Sequence, residues 1–325
     1  MQIITRVFRG DRIESVHTGE AVVCDSEGEI IFSTGRPEYS TYMRSSIKPF
    51  QAYPLINSGA AGAFHLDPKE IALCCASHNG ETIHVGIVGD LQERTGLKEE
   101  MLRCGVHPPL DSDAAESLFR SNLDLTQNHN NCSGKHTGML LSAKYQGFPL
   151  DDYIRPDHPI QRQIHDYLCE LLRRREIDMG IDGCSVPTYY MTVKELAILF
   201  RNLADQQDKV LSALFKAMIT EPYMVAGRNR FDTDLIQAMG GTMVSKLGAE
   251  GIRGLGIRMD GQAFGIGLKV IDGARRPGAS MMLAILRYMG WWEPGEDELL
   301  DRYFRPVLRN HRGIEVGRIE TEVVE

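Results

Sequence analysis

The spacing of apolar and polar residues divides the chain into strand-like ends and a helical middle. Near the N-terminus, two short apolar runs at 20–25 and 30–35 flank a glycine-containing turn, a pattern typical of a β-hairpin. Near the C-terminus, Asp260-Gly261 separates the strand-like runs 242–259 and 262–270. Because Asp-Gly is a favoured two-residue hairpin turn, this spacing predicts a second hairpin.

Between about residues 68 and 206, apolar residues recur every three or four positions, as they do on one face of a helix. The pattern predicts helices over residues 83–94, 114–123, 135–145, 159–174 and 193–202. A further apolar helix is predicted over 280–291, where it packs on the C-terminal strands.

These elements predict a fold of the α/β class, in the α+β sense. Both chain ends share one antiparallel sheet flanked by helices, and a mostly helical lobe completes the molecule. We expect a single catalytic domain, 1–325, in which 1–44 and 225–325 form the α/β lobe and 45–224 form the helical lobe. Because ligand sites form preferentially in clefts, we expect the site between the two lobes.

Composition narrows the class of protein. The 325 residues are 42% hydrophobic and 25% charged, which is typical of a globular chain. Lys and Arg number 36 against 44 Asp and Glu, a net charge of −8, which argues against binding to nucleic acid or to an anionic membrane. The first ten residues lack the apolar stretch of a secretion signal, and the seven cysteines are odd in number. The sequence therefore predicts a cytoplasmic protein without a disulfide framework.

Candidate chemistry begins at Ser45 and Lys48, which are three residues apart at the predicted start of a helix. Residues at this spacing lie one above the other on one helix face, about 5–6 Å apart at Cβ. Pro49 favours an early helix position, and Ser45 or Ser46 then becomes the N-cap. Taken alone, the pair is simply a capped helix with a solvated lysine. Only Ser45, and not Ser46, has the spacing to Lys48 that a nucleophile needs.

Two more motifs follow in chain order, namely Ser77-His78-Asn79 and Lys246-Leu247-Gly248. Singly, Ser77 is a loop-capping serine and Lys246 a surface lysine. Together with Ser45 and Lys48 they resemble the Ser-x-x-Lys, Ser-x-Asn and Lys-Thr-Gly pattern of serine β-lactamases, penicillin-binding proteins and serine-dependent glutaminases. Leu247 stands where that pattern has threonine.

Longer segments sharpen the resemblance. Residues 43–51, 75–81, 130–138 and 182–187 are similar to signature segments of the asparaginase II family, the rhizobial-type, β-lactamase-like L-asparaginases. The resemblance extends from about residue 22 to residue 267. It implies a fold like that of serine β-lactamases and penicillin-binding proteins, a homodimer, and hydrolysis of L-asparagine to aspartate and ammonia.

The residues can support this chemistry. Serine is a weak nucleophile until a base removes its proton, and Lys48 serves as that base for Ser45 only when it is neutral. In this hypothesis Lys246 supplies the nearby cation and pairs with Ser77, which carries the proton to the leaving ammonia. The oxyanion is stabilised by the backbone N–H of Ser45 and, by resemblance, that of Ala249.

The remaining predicted site residues concern substrate and metal. Asp182 is expected to bind the substrate ammonium, and Asn79 and Arg44 its other polar groups. The spacing of Cys132, Lys135 and Cys184 does not predict a metal, and on spacing alone two buried thiols with a salt-bridged lysine are the better explanation. The family resemblance, however, implies that these three residues and a water hold zinc, which tunes substrate affinity rather than performing the attack.

Two other interpretations fit the same sequence. One is a glutaminase, esterase or penicillin-recognising acyltransferase that uses the same motifs. The other is a non-catalytic relative that binds zinc or an amino acid. The selectivity between asparagine and glutamine does not follow from the sequence, nor does any direct role for His78 or His136.

Overall fold

A computed structural model describes all residues, 1–325. The chain forms eleven strands: β1 (Gln2–Arg9), β2 (Arg12–Cys24), β3 (Ile30–Thr34), β4 (Ser40–Tyr42), β5 (Met179–Ile181), β6 (Pro187–Thr192), β7 (Met243–Leu247), β8 (Ile252–Met259), β9 (Gln262–Val270), β10 (Val307–Arg309) and β11 (Glu315–Val324). Eight of them form the main antiparallel sheet in the order β10-β11-β1-β2-β9-β8-β7, with β3 paired to β2. The other three form a small sheet in the order β4-β6-β5.

Fourteen α-helices complete the structure: α1 (Lys48–Gln51), α2 (Tyr53–Asn57), α3 (Ala60–Ala63), α4 (Pro68–Cys74), α5 (Thr82–Thr95), α6 (Ser112–Arg120), α7 (Ser133–Tyr145), α8 (Pro159–Leu172), α9 (Val193–Asp205), α10 (Lys209–Thr220), α11 (Pro222–Val225), α12 (Phe231–Ala238), α13 (Gly278–Tyr288) and α14 (Glu298–Phe304). None of these helices is both long enough and apolar enough to cross a bilayer.

The main sheet joins the two ends of the chain, as predicted. Both predicted hairpins are confirmed, β2 with β3 and β8 with β9, and β2 pairs with β9 between them. The predicted strand 242–259 is in fact two strands, because the chain turns between β7 and β8, where Gly251 has a φ of +68°. The sequence pattern did not predict β1, β10 or β11.

Helices cover both faces of the sheet. Helix α9 packs on β2, β8 and β9, while α12, α13 and α14 lie with a second apolar cluster that includes Leu255, Leu268 and Met281. Glycines on β8 and β9 allow α9 to approach closely, since a Cβ at Gly265 would lie 1.9 Å from the Ala197 carbonyl oxygen. Helix α9 belongs to the segment 45–224 of the expected helical lobe, yet it packs on the main sheet.

The helical part of the chain is built around α7. This helix is buried along its whole length except for its last two residues, and it packs against α2, α4, α5 and α8. The loop after α4, the start of α7 and the end of β7 converge on the segment that begins at Arg44.

That segment differs from its prediction in one respect. Residues Arg44–Ile47 form a 3₁₀ turn, and α1 begins only at Lys48, with Pro49 in its first turn as predicted. Neither Ser45 nor Ser46 is an N-cap, so that expectation is wrong. The 3₁₀ turn starts at Arg44, one residue before Ser45, and the hydroxyl of Ser46 donates to the Met43 carbonyl oxygen at 2.6 Å.

The close approach of α9 to the sheet makes Gly265 intolerant of a side chain. We expect Gly265→Ala to lower the free energy of unfolding by about 3 kcal/mol or more, because the added carbon meets the backbone of α9 rather than a side chain that can move. Urea unfolding followed by circular dichroism measures this change. The matched control is Gly86→Ala on α5, where nothing lies within 4 Å of the new carbon; it should stabilise the protein by about 0.5–1 kcal/mol. Equal midpoints for the two variants would contradict this packing argument.

Candidate active site

Ser77 accepts hydrogen bonds from two lysines. The Nζ atoms of Lys48 and Lys246 each lie 2.9 Å from the Ser77 Oγ, and both lysine side chains are completely buried. The Ser77 backbone N–H donates to the Val225 carbonyl oxygen at 3.0 Å and fixes the serine in place. The three predicted catalytic residues Lys48, Ser77 and Lys246 are therefore brought together, although they come from α1, the loop after α4, and β7.

Lys48 uses all of its donors within the protein. Its Nζ contacts the Ala76 carbonyl oxygen at 2.6 Å, the Ser77 hydroxyl, and the Asn131 carbonyl oxygen at 3.2 Å. Three acceptors match the three protons of an ammonium group. No hydrogen bond joins Lys48 to Ser45.

Lys246 lies in surroundings that disfavour its charged form. Burial lowers its pKa well below the ordinary value; Asp232 opposes this shift, and the charge of Lys48 adds to it. Its Nζ has two acceptors, the Ser77 hydroxyl at 2.9 Å and the Leu247 carbonyl oxygen at 2.8 Å.

A buried ion pair supports the end of β7. Asp232 contacts Arg253 directly. It also accepts hydrogen bonds from the Ser245 hydroxyl at 2.7 Å and from the Leu247 backbone N–H at 2.9 Å. Burial alone would raise the pKa of Asp232, but Arg253 and Lys246 lower it by more. This carboxylate therefore stays ionised and fixes the strand that carries Lys246.

Ser45 faces a cleft of about 390 Å³. The cleft is lined by two serines, a leucine and an asparagine, two arginines and the turn between β7 and β8: Ser45, Ser77, Leu110, Asn131, Arg230, Arg275, Gly273 and Leu247 to Gly251. Gly248 packs against the backbone of the Ser45 turn, since a Cβ there would lie 2.9 Å from the Met43 carbonyl oxygen. The backbone N–H of Ala249 has no hydrogen-bond partner and lies in the same cleft. It is therefore free to donate to an oxyanion.

The predicted substrate-binding side chains are engaged elsewhere. The Arg44 Nε donates to the Asp182 Oδ1 at 2.7 Å, and neither residue lines the cleft. Asn79 donates to Glu81 and to the Arg228 carbonyl oxygen, and its own oxygen accepts from Arg230 at 2.6 Å. Arg44 has a φ of +50°, which strains the backbone immediately before Ser45.

The three residues of the expected zinc site also converge. Lys135 donates to the Cys184 sulfur at 3.0 Å, Cys132 lies beside Cys184, and all three side chains are buried. The Cys132 thiol lowers the pKa of Cys184; burial opposes this shift, and Lys135 lowers the pKa further. The neighbouring His136 has a buried Nε2 without a hydrogen-bond partner. Two sulfurs and one nitrogen fit a tetrahedral zinc ion that keeps one open position, although lysine is a rare zinc ligand. Nowhere in the chain do three or more His, Cys, Asp or Glu side chains form such a cluster, so a metal here requires the lysine.

The two histidines next to the motifs have structural contacts. His78 bonds to the Ser133 hydroxyl at 3.0 Å and accepts from the Gly80 N–H at 3.1 Å. His136 bonds to the Tyr153 hydroxyl. Burial lowers the pKa of both imidazoles, that of His136 to about 4, so both are neutral at physiological pH.

Sequence reasoning missed four charged residues of the site. These are Arg230, Asp232, Arg253 and Arg275. A signal was present in the charged residues at every second position, Arg228, Arg230, Asp232 and Asp234, which extend from the preceding loop into the first turn of α12.

Comparison with known proteins identifies the family. The family model for L-asparaginase II matches residues 5–321. The chain belongs to the L-asparaginase II family. No curated protein was found to match it.

Several solved structures are similar to this chain at low sequence identity. A β-lactamase from Sphaerobacter thermophilus DSM 20745 is 13% identical, with 86% of this chain and 94% of that chain covered and a TM-score of 0.44. A Bacillus glutaminase is 13% identical, with coverages of 84% and 91% and a TM-score of 0.41. A putative β-lactamase from Bacteroides dorei DSM 17855 is 13% identical, with coverages of 83% and 93% and a TM-score of 0.43.

The buried ion pair beneath the site gives a stability prediction. We expect Asp232→Asn to lower the free energy of unfolding at pH 7 by about 3–5 kcal/mol, because Arg253 is left buried without a counter-charge. Since the folded-state pKa of Asp232 is lowered, its contribution is complete above the unfolded-state value near ~4 and is lost as the pH falls towards the folded-state value. The difference between wild type and variant should therefore narrow below about pH 4, as measured by urea unfolding at several pH values.

The exposed pair Asp157 and Arg155 provides the control. Asp157→Asn should leave the urea midpoint unchanged. A gap between wild type and Asp232→Asn that stays constant down to acid pH would show that the ionised carboxylate is not the source of the stability.

Proposed function

We propose that this protein hydrolyses the side-chain amide of L-asparagine to L-aspartate and ammonia, through an acyl-enzyme formed on Ser45. The observation that carries the proposal is the buried group of Lys48, Ser77 and Lys246 at the base of the cleft that holds Ser45. Membership of the L-asparaginase II family supports an amidohydrolase, and asparagine as its substrate is our proposal.

The lysine pair supplies the base. Both Nζ atoms lie 2.9 Å from one oxygen and are buried, so two full ammonium charges would repel each other strongly in this place. The lowered pKa of Lys246 relieves that repulsion, because it makes the loss of one proton from the pair easier. Protons in such a pair belong to the cluster as a whole. The cluster can therefore accept the Ser45 proton as the serine oxygen attacks the amide carbon.

The same proton then leaves with the product. Collapse of the tetrahedral intermediate breaks the carbon–nitrogen bond, and the cluster returns the proton to the nitrogen, which departs as ammonia. Water next attacks the β-aspartyl ester and gives one proton to the cluster. The bond between the acyl carbon and Ser45 Oγ then breaks, the water's hydroxyl group stays on the aspartate, and the cluster returns the proton to Ser45. The free N–H of Ala249 stabilises the oxyanion in both steps; one such donor is typically worth about 3–4 kcal/mol.

Cys132, Lys135 and Cys184 would hold the zinc ion implied by the family. When bound, zinc would supply a positive charge and an open coordination position close to the site. The lysine cluster does not include these three residues, so the chemical steps above do not depend on the metal. In our proposal zinc tunes the affinity for substrate.

Substitution of the proposed nucleophile tests the mechanism. Ser45→Ala should reduce ammonia release from L-asparagine by on the order of 10³-fold or more, because it removes the hydroxyl on which we propose that the ester forms. A coupled ammonia assay measures the rate, and mass spectrometry of rapidly quenched wild-type protein should detect an aspartyl adduct on Ser45. Ser46→Ala is the matched control and should retain activity, since its hydroxyl is directed at the Met43 carbonyl.

The same assay distinguishes the other interpretations of the sequence. L-glutamine and nitrocefin are measured beside L-asparagine. Faster turnover of either compound would replace asparagine as the substrate. Binding of asparagine without turnover or adduct would identify a non-catalytic relative.

Metal content tests the zinc site separately from activity. Protein purified with zinc in the medium should contain about one zinc ion per chain, as measured by elemental mass spectrometry. Cys132→Ser and Cys184→Ser should each lose it, because serine is a poor ligand for zinc. Cys169→Ser, on α8 away from this cluster, should keep it. Equal zinc content in all three variants, or none in the wild type, would overturn the assignment.

A further inference from the structure

Two arginines line the cleft without a carboxylate partner. Arg230 lies at the start of α12, and Arg275 lies in the loop before α13; neither forms an ion pair. Arg230 is half-buried, whereas Arg275 is exposed at the mouth. Glu250 is the only acidic residue that lines the same cleft, and it is not paired with either arginine.

Their surroundings leave both guanidinium groups in need of an anion. Burial lowers the pKa of Arg230 to about 10, and the charge of Arg275 lowers it further, while Asp232 opposes the shift. Asp232, however, is committed to Arg253 by direct contact. Two like charges therefore face a cleft that also contains Ser45, an arrangement that a bound carboxylate would relieve.

Arg230 is held in a fixed orientation. Its Nη1 donates to the Asn79 Oδ1 at 2.6 Å, and Asn79 is itself held by Glu81 and the Arg228 carbonyl oxygen. Since a guanidinium has five N–H donors, this contact leaves the others free for a planar anion. Arg44, by contrast, is already paired with Asp182 and lies outside the cleft lining.

We propose that Arg230 and Arg275 bind the α-carboxylate of the amino-acid substrate, with Asn79 as the residue that positions Arg230. The side-chain amide at the other end of the substrate then lies at Ser45. This assignment rests on the proposed function, and it moves the carboxylate contact from Arg44 and Asn79, as expected from the sequence, to the two arginines of the cleft.

The experiment compares two substrates that differ only in this group. L-asparagine carries the α-carboxylate, and 3-aminopropanamide is the same molecule without it. In Arg230→Gln, kcat/KM for L-asparagine should fall on the order of 100-fold, while kcat/KM for 3-aminopropanamide should change far less. Arg230 also lowers the pKa of Lys246, but the loss of that effect acts on both substrates alike, so the ratio of the two values isolates the carboxylate contact.

Two further variants keep the test decisive. Arg230→Lys keeps the charge but not the planar pair of donors, and should recover part of the ratio. Arg275→Gln changes an exposed side chain, so folding is not at stake, and it should lower the ratio in the same direction. Arg276→Gln is the matched control, because Arg276 is exposed in the same loop but does not line the cleft. An unchanged ratio in Arg230→Gln and Arg275→Gln would overturn the proposal.

A binding measurement separates this proposal from the proposed function. Calorimetry with the Ser45→Ala protein should show L-aspartate binding that weakens by on the order of 100-fold when Arg230→Gln is added. If the wild type releases no ammonia from asparagine, the function fails while this binding arm still decides on the carboxylate site. Binding of L-aspartate that is equally tight with and without Arg230 would overturn the site even in an active enzyme.

Discussion

The structure of the site depends on two buried lysines that share one serine hydroxyl. Neither side chain has access to water, and each Nζ reaches Ser77 Oγ at the same 2.9 Å. Burial of two positive charges this close is unfavourable, so the fold must surround them with acceptors or leave one of them neutral. Lys48 has three oxygen acceptors, and the pKa of Lys246 is lowered. In the proposed mechanism this lowered pKa is what lets the cluster act as a base, so that the energetic cost of burial becomes useful for catalysis.

That cost has to be offset nearby, and Asp232 is placed to do so. It is completely enclosed between Arg253, Ser245 and the Leu247 backbone, and its charge stabilises the protonated form of Lys246. The same carboxylate therefore has two opposing effects. It stabilises the strand that carries Lys246, and it limits how far the pKa of that lysine falls. Arg230 acts in the other direction on Lys246. The pKa of Lys246 is therefore set by a balance among charged residues on α12, at its start and on β8. Because charges act strongly only at short range, this balance requires that the helix and the strands pack tightly around the lysine.

The sequence predicted much of the framework but little of this balance. Hairpins with Gly-containing or Asp-Gly turns and helices with regular apolar spacing were predictable, because both signals are local. Strands β1, β10 and β11 were missed. The pairing of β1 with β11 joins the two ends of the chain, Gln2 opposite Val324 for example, so no local signal encodes it. The pairs β1 with β2 and β10 with β11 are local, but the apolar pattern of these strands was not recognised. The motif residues Lys48, Ser77 and Lys246 were predicted to meet, and they do. Asp232 and Arg230 were not predicted, because their importance arises only from which residues surround them after folding, and no spacing along the chain encodes that.

The electrostatics of the cleft also bear on which molecules it selects. The chain as a whole carries a net charge of −8, yet basic side chains outnumber acidic ones in the cleft and directly behind it. The basic residues there are Lys48, Lys246, Arg230, Arg253 and Arg275, and the acidic ones are the buried Asp232 and the exposed Glu250. A positive cleft in a negative protein attracts a carboxylate locally while the rest of the surface repels polyanions. In the proposed reaction the same excess of positive charge would stabilise the oxyanion that forms when Ser45 attacks. Recognition of the substrate carboxylate and stabilisation of the reaction intermediate would thus draw on one set of charges, and a substrate without the carboxylate would leave the arginines unpaired next to the reacting group.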